Sequence, residues 1–262
     1  LAELPSSETL QIATTSDFDA HDDFDERDEF GLGASIWQAI SKTLQILTRQ
    51  GENSNDRRAL TATEIEHLRH MRGTRSLFCA NTVLGADGLA WIDGFDELRD
   101  ASIHTCDITA RDLKLLAKRP ALEFLSFSSN GLTNEDVAML KSVTRLKTLS
   151  VSEEHITPHV LATLSQLTSL ENLQLHFWHF DQEGQKGRAT PERFADVRAS
   201  VAQLESLPKL KKLTLTGRVI SDETIEPVLD IESLEELTIP KEAISPAMRE
   251  RLRAAIPTVT EQ

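Results

Sequence analysis

The chain has 262 residues, 39% of them hydrophobic, enough for one large folded domain or two small ones. Its formal net charge of −14 repels nucleic acid and anionic lipid, and with no Tyr and 5% aromatics it lacks the stacking surface of a single-strand binder. It has no run of eighteen apolar residues that could form a membrane-spanning helix.

Residues 1–32 form an acidic leader. The first thirty residues hold ten acidic side chains against one base, Arg27. Such a composition predicts a disordered, solubilising segment. Phe18, Phe24 and Phe30 are interleaved with the acids, which leaves a short docking motif as the alternative. The stretch DFDAHDDFDERDEFG lacks the D-x-[DN]-x-[DN]-G spacing and the later Glu of a calcium loop. The opening LAELPSSETL has neither a basic n-region nor an apolar h-region, so no signal peptide is read there. A start at Leu1 fits a processed protein or an excised piece of a longer one. With two cysteines, no CxxC and no cystine cluster, a reducing, cytoplasmic setting is favoured.

Residues 33–72 predict an N-terminal cap. SIWQAISKTLQIL places Ile36, Ile40, Leu44 and Leu47 on one helical face. ALTATEIEHLRHM then fits the second half of a repeat, with Leu60, Ile65, Leu68 and Met71 in phase.

From residue 73 to 262 one pattern recurs at a step of 24. Its leading residues are Thr74, Leu98, Leu122, Leu146 and Leu170, then Leu210 and Leu234 after a step of 40. The fourth and sixth positions are apolar in nearly every unit, the alternation of a strand with one buried face. The eleventh position is apolar as well. Thr109, Thr133, Thr157, Ser221 and Ser245 follow it and predict helix N-caps, with Asp112 and Asp136 completing approximate capping boxes. Apolar residues then recur at helical spacing, as in Val137, Leu140 and Val143. Each unit reads strand, turn, helix. One unit cannot bury its apolar side alone, so neighbours stack.

On these residues the chain resembles leucine-rich repeat proteins, of the ribonuclease-inhibitor-like or bacterial 24-residue strand-plus-helix kind. GLTNEDVAMLKSVTRLKTLSV carries the likeness best. The resemblance implies an α/β solenoid, a curved horseshoe with a parallel sheet on the concave face and helices on the convex face. It implies about seven repeats, an insertion near 181–196 and a C-terminal capping helix in SPAMRERLRAAIP. The family's ninth-position Asn is kept only at Asn130; Thr82, Cys106, Glu154, Trp178, Arg218 and Glu242 replace it.

No GxSxG, HExxH or kinase set is present, and GLGAS lacks the Lys of a phosphate loop. Cys79 and Cys106 read as core thiols. An offset of three residues on adjacent strands separates them by roughly 10 Å, too far for a disulfide. The histidine pairs in HLRH, HITPH and HFWH lack a third ligand and read as solvated side chains, so no metal and no cofactor is expected.

The chain is therefore read as a non-enzymatic, monomeric recognition module for a protein partner. The alternative is a regulatory or targeting segment of a larger enzyme or receptor. Third, fifth and seventh positions face the concave surface and are mostly small hydroxyl residues. Phe124, with His104 in the neighbouring repeat, stands out on that strip. The other candidates are His176, Phe177, Trp178 and His179, where the insertion departs.

Overall fold

The computed structural model describes residues 9–12, 58–177, 191–217 and 220–262. The predicted capping helix at 36–47, most of the leader, and Trp178 and His179 lie outside these residues. The chain divides into two compact units, one ending at Asn130 and one beginning at Gly131.

In the first unit, strands β1 (Thr9–Ile12), β3 (Ser76–Ala80), β5 (Asp100–His104) and β6 (Phe124–Ser128) lie side by side in that order. All pair in parallel, with Thr9 opposite Ser76, Ser76 opposite Asp100 and Asp100 opposite Phe124. The partners from β3 to β6 are 24 residues apart, the step read in the sequence. A second small sheet joins β2 (Arg58–Ala59) to β4 (Thr82–Val83). Helices α1 (Ala62–Arg69) and α2 (Ala110–Ala117) supply the return segments.

The second unit repeats this with β7 (Thr148–Glu153), β8 (Asn172–Phe177), β9 (Lys212–Gly217), β10 (Glu236–Ile239) and β11 (Thr258–Glu261). Asn172 faces Lys212 across the insertion, so the sixteen extra residues leave the register intact. Its return segments are α3 (Asn134–Val137), α4 (Leu161–Leu164), α5 (Pro191–Ala202), α6 (Asp222–Ile225) and α7 (Pro246–Ala255). Three of these are single turns, α3 and α6 being continued by 3₁₀ segments and α4 preceded by one. Pro191 opens α5, a first-turn position that suits its fixed φ, and Val197 and Val201 on it are buried. The chain thus has an alternating, leucine-rich-repeat-like arrangement of parallel strands and helices.

The core is where the periodicity places it. Leu77, Ala101, Leu125, Leu149, Leu173, Leu213 and Leu237, all at the fourth position, are at most 2% exposed. The caps follow the hydroxyl residues. Thr133 and Ser221 accept from the third residue of their helices, and Ser245 accepts from Met248 N. Thr157 is the exception. Its hydroxyl takes a 2.7 Å bond from Asn134 Nδ2 and its N–H donates to Asn134 Oδ1. The hydroxyl is committed to the preceding repeat, and Pro158 starts a 3₁₀ turn instead.

The ninth-position substitutions have a common solution in the first unit. Thr82 Oγ1 donates to Ala80 O, Cys106 Sγ to His104 O, and Asn130 Nδ2 to Ser128 O. Each ninth side chain ties down the carbonyl two residues back. Asn130 adds a rung, accepting from Cys106 N at 2.8 Å and donating to Ile103 O.

Two features were not legible as local patterns. The chain ends in a further strand, β11, beyond the closing helix. Its Glu261 sits opposite Ile239, an inner position, and is held by Arg249 at 2.8 Å and Arg253 at 2.7 Å. At the other end Thr9–Ile12, within the acidic leader, is a strand.

Candidate functional site

The two units end their strands differently, and this decides which candidates reach the surface. In the first unit the eighth residue is left-handed: Asn81, Thr105 and Ser129 have φ of 49°, 54° and 53°. The strand stops at the seventh residue, and the ninth side chain turns inward. In the second unit β7, β8 and β9 run one residue further, through Glu153, Phe177 and Gly217. Alternation then points the eighth side chain inward. Glu153 is fully buried and accepts from Gly131 N and Leu132 N, while Phe177 is 2% exposed.

Phe177 is therefore a core residue and not a surface anchor, which corrects the reading from sequence. Residue type alone does not give this away, since β-branched Thr105 is left-handed whereas Gly217 closes one of the longer strands.

His104 is also corrected. It does not adjoin Phe124. Phe124 pairs with Asp100, and His104 pairs with Ser128 four residues further along, roughly 13 Å at the strand rise. The ring beside His104 is Phe78, with centroids 5.9 Å apart. His104 is 8% exposed and its Nδ1 bonds Ser128 Oγ at 2.7 Å. Burial pushes its pKa down to about 4, so the ring is neutral at physiological pH. His176 occupies the same seventh position in the second unit. It pairs through Nδ1 with the Thr216 hydroxyl, and burial lowers its pKa.

The outward strips of the two units differ as well. Fifth-position Phe78, Ser102 and Ser126 are 6%, 3% and 2% exposed, against the expectation of an open face. In register, Ser102 lies between Phe78 and Ser126. Phe124 itself is half-exposed. In the second unit the fifth-position residues Ser150, Gln174, Thr214 and Thr238 are all half-exposed. That unit presents an open polar strip, with His176 beside it.

The thiols need the largest correction. Cys79 Sγ and Cys106 Sγ are 3.2 Å apart, both fully buried and not joined in a disulfide. The estimate of roughly 10 Å assumes an extended chain. Left-handed Thr105 and Asp107 instead fold Cys106 back toward Cys79. Distance therefore does not exclude their joining. The bond from Cys106, then burial, holds the Cys79 thiol well above its ordinary range. We expect an aromatic disulfide reagent to leave both thiols unmodified in the native protein and to titrate both in denaturant. Rapid native labelling of either would contradict this packing.

Among the described residues, no three His, Cys, Asp or Glu side chains gather to hold a metal ion. His67, His70, His155 and His159 are exposed. A shallow depression in the second unit is lined by Glu171, Pro208, Lys211, Glu232, Glu235 and Pro257, and none of the candidates named above lines it.

No protein-family model matches the chain, and no curated protein matches it. Solved structures do match. An internalin C2 from Listeria monocytogenes is similar over 66% of this chain and 74% of its own, at 16% identity and a TM-score of 0.42. The structure of the Toll–Spatzle complex of Drosophila is similar over 79% of this chain, at 12% identity and a TM-score of 0.46. The match spans 31% of that protein's chain.

Proposed function

We propose that this chain is a recognition module that binds a protein partner through the outward face of its strands. Sequence reading places that face on the inside of a curve. The observation that carries the proposal is the strip in the second unit. Ser150, Gln174, Thr214 and Thr238 stand in register on neighbouring strands, half-exposed, with His176 alongside. A row of short polar side chains on a rigid sheet is preorganised, so little ordering entropy is lost on contact. In the first unit Phe124 is the aromatic that a partner would cover. Trp178 and His179, which follow Phe177 in the sequence, belong to the same reading.

The test is capture from native lysate by three forms of the chain: parent, Gln174→Asp with Thr214→Asp, and Phe124→Asp. All must unfold at the parent's urea midpoint. A partner retained by the parent and lost at least about tenfold by the paired variant places the site on the second unit's strip, since desolvating an unpaired charge costs a few kcal/mol. Loss with Phe124→Asp alone moves it to the first unit. Equal capture by all three rejects the sheet face.

A further inference from the structure

We propose that the outer edge of β3 is a strand-addition site for an extended peptide carrying aliphatic residues at two alternating positions. In the resting protein this chain's own Thr9–Ile12 occupies it. The site is a sheet edge and does not depend on the sheet-face reading above.

The first repeat is assembled from two distant stretches. Its helix and turn come from residues 58–69. Ala62 opens α1 fourteen residues before Ser76, as Ala110 opens α2 fourteen residues before Phe124. Arg58 pairs with Thr82 at the usual step of 24. By the same step, the strand of this repeat would be ENSND, residues 52–56, with Asn53 and Asn55 at the inner fourth and sixth positions. Two amides at core positions without assured partners are costly. The place beside β3 is held instead by TLQI. In the main-chain register Leu10 is opposite Leu77 and Ile12 opposite Cys79, so aliphatic residues stand at the register of the fourth and sixth positions.

Forty-five residues separate Ile12 from Arg58, where the continuous repeats have no such excursion. The opposite edge is built the other way. There β11 follows α7 after two residues, and Arg249, Arg253 and the Lys241 N–H to Gln262 O bond tie it down. Releasing β1 undoes four residues of pairing and leaves α1, β2 and β4 in place. The exposed β3 edge then offers main-chain donors and acceptors for affinity, and two inner positions for specificity. The partner that fits is parallel, extended, and aliphatic at alternate residues, as TLQI is.

The experiment uses the full chain. Thr9→Cys with Ser76→Cys is oxidised with copper phenanthroline and mapped by mass spectrometry. An intrachain crosslink is expected, while Gln11→Cys with Ser76→Cys, two residues out of register, stays reduced. A fluorescein-labelled peptide of residues 5–16 is then titrated by anisotropy. We expect it to bind a Leu10→Asp with Ile12→Asp chain at least about tenfold more tightly than the parent, because the tethered strand competes at an effective concentration on the order of millimolar. Binding to the crosslinked chain is abolished, and a scrambled peptide binds none of them. Lys141→Ala, at an exposed position of the second unit, leaves both readouts unchanged. Should the acidic pair lose its fold by circular dichroism, Leu10→Ala with Ile12→Ala takes its place. The proposal is overturned by an absent in-register crosslink, by a crosslink found only between chains, or by equal binding of the native and scrambled peptides.

Discussion

Phe177→Ala lowers the free energy of unfolding by about 3–5 kcal/mol, the cost of removing a buried phenyl ring and leaving its cavity. The ring is 2% exposed at the last residue of β8, between Glu153 of β7 and Gly217 of β9. Gly217 has a φ of 117°, and a Cβ there would lie 2.3 Å from Phe177 O. The strand end is thus closely packed and has little room to collapse around a void. Urea unfolding measures the effect as a lower midpoint with an unchanged slope. Phe124→Ala is the matched control. Its ring is half-exposed, so the loss stays within about 1 kcal/mol. A reversed order, with Phe124→Ala the costlier, would return Phe177 to the surface and reject the inward eighth position of the second unit.

Asp112→Ala is expected to cost about 2–4 kcal/mol, a lost helix cap plus a stranded buried N–H. Asp112 is 3% exposed and accepts three bonds. Two come from Thr109, through N and Oγ1 at 2.9 Å each, and close the N-terminus of α2. The third comes from Leu89 N at 2.7 Å, in the preceding repeat. Leu89 is fully buried, so its N–H has no water to turn to once the carboxylate is gone. Gly88 shows how tightly the carboxylate is enclosed. A Cβ on it would lie 2.2 Å from Asp112 Oδ1, and its φ is 53°. Asp136→Ala is the comparison. Asp136 caps α3 in the same way but is half-exposed, and its bonds stay within its own repeat. Its loss is expected near 1 kcal/mol, the value of a cap alone. Equal midpoints for the two variants would show that the Leu89 contact contributes nothing.

The repeat, its step of 24 and the core positions were determined by the sequence alone. A strand alternates every two residues and a helix every 3.6, so which residues turn inward follows from spacing as long as the backbone stays regular. Leu77 to Leu237, and Val137 with Leu140 and Val143, fall under that rule. It fails where the backbone leaves the regular regions. Left-handed Thr105 and Asp107 bring Cys106 to 3.2 Å from Cys79. One additional extended residue sends Phe177 into the core. Asp112 was readable as a local cap, but its bond to Leu89 N spans 23 residues and exists only once the repeats are stacked. The first strand lies furthest beyond local reading. TLQI differs little from other short alternating stretches, and its pairing with β3 skips the forty-five residues before Arg58. Spacing encodes which face a residue takes within its own element. Which distant element completes a repeat is decided by burial, and burial is a property of the assembled stack.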